Sequence, residues 1–165
     1  MAAQFPPEKF IESQYNASEL ETAGRWRRLS GSLLDSVLGI VTFGAGWLIW
    51  FMVVGQRGQT PGKQLVNLYI IRSDGSRAGG WFTWTRELLI KGLLFSTAGS
   101  IVALFTFGLG YLIPVLAAAW CLWDFNHQCL WDKVGGTYVA HSPGGFRPLT
   151  RGEINLADRT VAPHH

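Results

Sequence analysis

At 165 residues the chain has room for one domain, and 48% hydrophobic against 15% charged residues weight it towards an apolar solvent. The net charge of +3 is spread around the apolar blocks instead of forming one patch, which excludes nucleic-acid binding. Two cysteines, Cys121 and Cys129, with no CxxC or His/Cys ligand spacing, exclude a disulfide scaffold and a structural zinc; they read as two reduced, structural thiols.

Residues 1–22 carry Glu8, Glu12, Glu19 and Glu21 against Lys9. They read as a polar, mobile tail and not as a signal peptide, because no apolar core follows a basic start. The Asn16-Ala17-Ser18 sequon then carries no meaning on a cytoplasmic tail. Arg25, Arg27 and Arg28 open the first apolar block, whose charge-free run covers residues 36–56. Residues 26–56 make about 46 Å of helix, which fits either one tilted pass or a short hairpin. Arg57, Lys63, Arg72, Arg77, Arg86 and Lys91 lie between the blocks. Loops rich in Lys and Arg stay cytoplasmic, so an even number of passes keeps both clusters inside. Thr60-Pro61-Gly62-Lys63 is a sharp turn carrying a cation, without the spacing of a phosphate loop. Residues 65–71, rich in Val, Ile, Leu and Tyr, read as a strand closed by Asp74-Gly75.

Residues 92–123 run without Asp, Glu, Lys or Arg. From Trp81 to Trp123 the chain makes about 64 Å of helix, enough for two passes broken at Phe107-Gly108-Leu109-Gly110. Residues 136–141 read as a second strand, and residues 143–165 as a second polar tail. Seven of the eight tryptophans lie in or beside the two blocks, as interfacial anchors do.

The two blocks are related. Residues 42–49 (TFGAGWLI) recur as 106–113 (TFGLGYLI), with six of eight positions identical, and residues 59–75 align with 128–144. The expected fold class is an all-α membrane protein of two short transmembrane helical hairpins, four helices related by an internal repeat. A short cytoplasmic β-strand follows each hairpin, and the two strands could pair. The expected divisions are a tail at 1–22, the transmembrane domain at 23–142 and a tail at 143–165.

Asp35 is the leading candidate residue, because an ionisable group within an apolar helix normally faces a protein interior or a water-filled cavity. Arg28, seven residues earlier, shares its face but lies about 10 Å away along the axis. Each needs a partner on another element. The pair reads either as a clamp that fixes helix packing or as an ion or proton site. Asp124, His127 and Asp132 cluster near the end of the last helix, where they are either solvated or a proton or cation relay. Glu87 and Lys91 read as an i,i+4 pair near the interface. Gly31 and Gly39, facing Gly92, Ser96 and Ser100, predict close packing of the first and third helices.

These residues resemble the RDD family of small bacterial membrane proteins. Arg28 to Asp35 (RLSGSLLD) is similar to its first helix, Gly58 to Leu65 (GQTPGKQL) to its central segment, and Gln128 to Val139 (QCLWDKVGGTYV) to its closing segment. The resemblance implies that Arg28, Asp35 and Asp132 form the functional polar centre, with Asp124, His127 and Lys63 as further candidates. Family members often carry histidine before the last aspartate, where this chain has Trp131, and glycine where it has Asn67. The resemblance also implies the bacterial inner membrane, multiple passes and both termini cytoplasmic. Transport, cation–proton exchange included, is the role proposed for the family. The expectation is a transport-related oligomer, with no cofactor or metal, whose partners are the bilayer and copies of itself. The alternative is a non-catalytic accessory or scaffold subunit of a larger membrane complex. No nucleophile–base pair or cofactor fingerprint points to an enzyme.

Overall fold

The computed structural model describes residues 19–161; residues 1–18, with the sequon at 16–18, and residues 162–165 lie outside the described residues. The chain is mostly helical, with a small sheet. Helix α1 (Arg25–Val41) buries Arg28, Gly31, Ser32 and Asp35 and exposes Leu33, Val37, Ile40 and Val41. This is the reverse of a soluble amphipathic helix, in which the apolar stripe faces inward. Polar groups inside and apolar groups outside is the arrangement that lipid demands.

At the end of α1 the Thr42 hydroxyl donates to Leu38 O at 2.6 Å and accepts from Trp47 N–H at 3.0 Å. Phe43 (φ +50°) and Gly44 (φ +75°) then turn the chain into α2 (Ala45–Val54). A short helix α3 (Pro61–Leu65), capped by Thr60 with proline in its first turn, leads to strand β2 (Leu68–Arg72). The strand begins three residues later than the β-branched run predicts, because Thr60-Pro61 starts a helical turn that absorbs Leu65. Asn67, at φ +52°, makes the left-handed step between them. Asparagine tolerates this conformation better than most residues other than glycine. The expected turn follows, with Gly75 at φ +76° and its N–H on Arg72 O at 3.0 Å.

Helix α4 (Gly80–Phe105) is the one described helix long and apolar enough to cross a membrane, and only 17% of its apolar window is buried. Its middle, Arg86–Ser96, is wound as a π-helix. The chain turns again at Phe107 (φ +50°) and Gly108 (φ +95°), and the Thr106 hydroxyl donates to Val102 O at 2.7 Å. The apolar helix α5 (Leu109–Leu122) then packs against α4. A Cβ at Gly110 would collide with Ala103 N and Gly99 O, and one at Gly99 would lie 3.2 Å from Pro114 Cδ, so these glycines set the approach of the two helices.

Helix α6 (Leu130–Val134) and strand β3 (Thr137–His141) follow. Strand β3 pairs antiparallel with β2, Ile70 opposite Val139 and Leu68 opposite His141. On its other edge it pairs with β1 (Glu21–Thr22), so part of the expected first tail belongs to the sheet. The second tail also carries structure. Helix α7 (Arg151–Val161) is opened by Thr150, whose N–H and hydroxyl bond Glu153 Oε2 at 2.6 and 2.8 Å.

The expected contact between α1 and α4 through small residues is corrected. A Cβ at Gly31 would meet Leu68, Lys63 and Val66, all of the α3–β2 segment, and Gly39 has nothing within 4 Å. Gly92 meets only its own helix at Glu87 O. Gly99 and Ala103 of α4 serve α5 instead, and a cleft separates α4 from α1.

Candidate functional site

The site lies where α1, α3, α4 and α6 converge. Asp35 reaches across from α1 to the start of α3. Its Oδ2 accepts from the Thr60 hydroxyl at 2.5 Å; its Oδ1 accepts from Gly62 N–H at 2.8 Å and from Trp47 Nε1 at 2.9 Å. A Cβ at Gly62 would collide with Gly31 O and stand 2.5 Å from Asp35 N, so only glycine lets α3 approach α1 this closely. Both carboxylate oxygens are thus satisfied by neutral donors, which is the geometry of a clamp.

Arg28 and Asp132 come together. Arg28 Nη1 lies 3.7 Å from Asp132 Oδ2, while Nε donates to Ala23 O at 3.0 Å and Nη2 to Val139 O at 2.9 Å. One guanidinium therefore holds the base of α1 against β3. Asp132 Oδ2 also accepts from Cys129 N–H at 3.1 Å, capping its own helix α6. Its Oδ1 pairs with Arg86 of α4, whose Nε donates to the Thr137 hydroxyl at 3.0 Å.

Lys63 belongs to the same network. Its Nζ is 2.9 Å from Glu87 Oε1, and that oxygen also pairs with Arg86; Lys91 Nζ is 3.5 Å from Glu87 Oε2. Glu87 is 3% and Arg86 1% exposed. The i,i+4 pair Glu87–Lys91 exists, but it is part of a buried network and not an isolated interfacial pair. Arg86 was missed by sequence reasoning, and Glu87 was read only as half of a pair with Lys91; both belong to the buried network. A usable signal was present: Lys63 and Asp132 occupy the same place in the two aligned segments with opposite charge, and the adjacent Arg86-Glu87 offers one partner for each.

Asp124 and His127 stay apart from this network. The expected shared helix face is corrected, because α5 ends at Leu122 and His127 (φ +52°) sits in a turn with its N–H on Asp124 O at 3.1 Å. Asp124 accepts from Asn126 N–H and Gln128 N–H at 3.1 and 3.0 Å and pairs with Lys133 at 2.6 Å. Burial alone would raise its pKa, but the Lys133 ammonium and the two N–H groups outweigh burial and hold the carboxyl below its usual range. The Cys121 and Cys129 thiols are buried and both donate to Ala118 O. The neighbouring Cys121 thiol, with burial, pushes the Cys129 thiol up, so it stays protonated.

Residues 27–136 match the RDD family, two thirds of the chain. The chain belongs to the RDD family. No curated protein and no solved structure matches it. RDD membership makes this a membrane protein, in keeping with the exposed apolar sides of α1, α4 and α5. The matched span contains every charged residue of the network, Arg28, Asp35, Lys63, Arg86, Glu87, Lys91 and Asp132.

Two adjoining hollows open between α1 and α4, the larger one walled also by α5 and α6. One, of about 430 Å³, is bounded by Ser32, Leu33, Lys91, Val115 and Trp131; the other, of about 270 Å³, by Asp35, Trp47, Glu87 and Leu88. Ser36, Lys91 and Ser96 line both, so the Lys91 side chain stands where the two meet; together they form a trough along α4.

Proposed function

We propose that this protein is a non-enzymatic, transport-related membrane protein that crosses the bilayer as two helical hairpins, α1–α2 and α4–α5. The sheet and both termini face the cytoplasm of a bacterial cell, and copies associate into an oligomer. Two features support the topology. Arg25, Arg27, Arg57, Arg72 and Arg77 gather at the sheet end, as cytoplasmic loops require. The two Phe-Gly turns share one backbone geometry, and Phe43 and Phe107 project from them almost fully exposed. Helices α2 and α5 run only about 15 and 21 Å, a mismatch that local thinning or neighbouring copies accommodate.

The observation that carries the transport reading is the trough. It brings Asp35, Glu87, Lys91 and serine hydroxyls to the edge of a surface that is otherwise apolar. Ionisable groups at such depth mark a pathway or a ligand site. Protein reconstituted in liposomes should dissipate an imposed ion or pH gradient, and Lys91→Met should abolish this in protein that still melts cooperatively. Inserted, folded protein that moves nothing would sink the reading. For the topology, a cysteine at Leu109 should react with an impermeant reagent added outside intact cells and one at Ser73 should not.

A second reading, a scaffold subunit of a larger complex, draws on the clamp geometry. Arg28, Asp35 and Asp132 are each partnered within their own chain and could serve stability alone. Extraction in mild detergent separates the two: a homo-oligomer favours transport, and one stoichiometric foreign partner favours the scaffold.

A further inference from the structure

The charges at the site do not cancel. Four cations, Arg28, Lys63, Arg86 and Lys91, meet three carboxylates, Asp35, Glu87 and Asp132. Three of the cations are at most 4% exposed and are committed within the network: Arg28 and Arg86 to Asp132, Lys63 to Glu87. Lys91 differs. Its side chain is 25% exposed into the trough, and its nearest carboxylate oxygen, at 3.5 Å, lies at the outer limit of a hydrogen bond. An ammonium has three donors and no acceptor function. Away from bulk water, under-used donors on a surplus charge are costly until an acceptor of opposite charge arrives. The Trp131 ring, 5.1 Å from Nζ, attracts the ammonium without supplying that acceptor.

The rest of the trough specifies what carries the anion. Ser36 and Ser96 flank Lys91 in both hollows. The outer wall is apolar, with Leu33 and Val115 62% and 59% exposed at its rim. A ligand entering from the lipid side thus meets hydrocarbon first and a cation last. We propose that the trough between α1 and α4 binds an anionic amphiphile, with its phosphate- or carboxylate-like group on the Lys91 ammonium and the Ser96 hydroxyl and its chain along Leu33 and Val115; the Ser36 hydroxyl donates to Ser32 O at 3.1 Å and only borders the site. This inference rests on the membrane reading of α1 and α4 and names the ligand class of the site proposed above. The positive surplus also argues against a bare cation as cargo.

The full chain, purified in dodecyl maltoside, would be titrated with dodecyl phosphate while Trp fluorescence and melting temperature are followed. Inorganic phosphate and dodecyltrimethylammonium serve as the other arms. Dodecyl phosphate should raise the melting temperature saturably, and Lys91→Met should weaken its binding at least tenfold. The cationic amphiphile and inorganic phosphate at the same concentrations should do neither. A response to inorganic phosphate equal to that of dodecyl phosphate would overturn the amphiphile and leave a free-anion site. An equal response to the cationic amphiphile, or full binding by Lys91→Met, would overturn the proposal. If Lys91→Met fails to fold, Val115→Trp decides: it fills the trough and keeps the cation, so undiminished binding by that variant would overturn the proposal and lost binding supports it. Chain recovered in soluble form without detergent would instead sink the membrane reading. Lys91-dependent binding without liposome flux would keep this inference and sink transport.

Discussion

Residues 59–75 and 128–144 are built to one plan and charged to opposite ends. Each begins with a glutamine whose side-chain amide donates to the first strand carbonyl nine residues on, Gln59 to Leu68 O and Gln128 to Thr137 O. Each continues with a five-residue helix, a left-handed step at Asn67 or Gly136, and a strand. At the third helical position one has Lys63 and the other Asp132. The first segment draws its capping carboxylate from outside, Asp35 of α1, whereas the second caps itself with Asp132 and draws cations from outside, Arg28 and Arg86. The Arg86-Glu87 pair of α4 meets both, Glu87 on Lys63 and Arg86 on Asp132. Opposite charge at one equivalent position thus lets a single helix hold two similar units, and the two carboxylates Asp35 and Asp132 differ in how much depends on their charge.

That difference orders the expected effects of substitution. Asp132→Asn should cost most, about 3–5 kcal/mol, because it leaves Arg28 and Arg86 buried without their counter-charge. Melting in detergent should report loss of folded protein, and wild-type stability would break the comparison. Lys63→Met should cost less, about 2 kcal/mol for one charged hydrogen bond, since Glu87 keeps Arg86 and Lys91. Asp35→Asn should cost about 1 kcal/mol. Asparagine can still accept from Gly62 and Trp47 with its oxygen and donate to Thr60 with its amide, and what it loses is charge assistance from neutral donors. If Asp35→Asn proved as damaging as Asp132→Asn, Asp35 would be part of a charge pathway and not a clamp.

Much of this architecture is legible in the sequence, and what is not has identifiable causes. The two Phe-Gly turns follow from glycine's access to positive φ, and both strands from their β-branched runs. Asp35 announces itself as a carboxylate among apolar neighbours. The π-helical winding of Arg86–Ser96 has no sequence period of its own, so the burial of Arg86 and Glu87 was hidden behind an ordinary i,i+4 pair. The two-residue strand β1 exists only because β3 offers it an edge, which is a tertiary effect. Helix α7 did carry a local signal, the Thr150-x-x-Glu153 capping box, at a place where glycine and proline pointed to a tail. The small residues of α1 point to close packing, but a stripe does not say which neighbour it meets. Gly31 turned out to admit the α3–β2 segment.

The smallest expected effect tests the edge of the network. Asp124 pairs with Lys133, whose side chain is 40% exposed, so solvent screening keeps the pair below about 1 kcal/mol. Asp124 also keeps its bonds to Asn126 and Gln128 N–H whatever happens to Lys133. Lys133→Met should therefore lower the melting temperature at neutral pH by no more than about 2–4 °C. The pH dependence has a fixed sign. A carboxyl held below its usual range contributes stability above the ordinary aspartate pKa of about 4 and loses it as the pH falls through its depressed folded value. The gap between wild type and Lys133→Met should thus close on acidification to about pH 3. A gap that persisted there would mean that Lys133 acts by packing and not by charge. A gap at neutral pH as large as that of Lys63→Met would join Asp124 to the buried network, from which the geometry separates it.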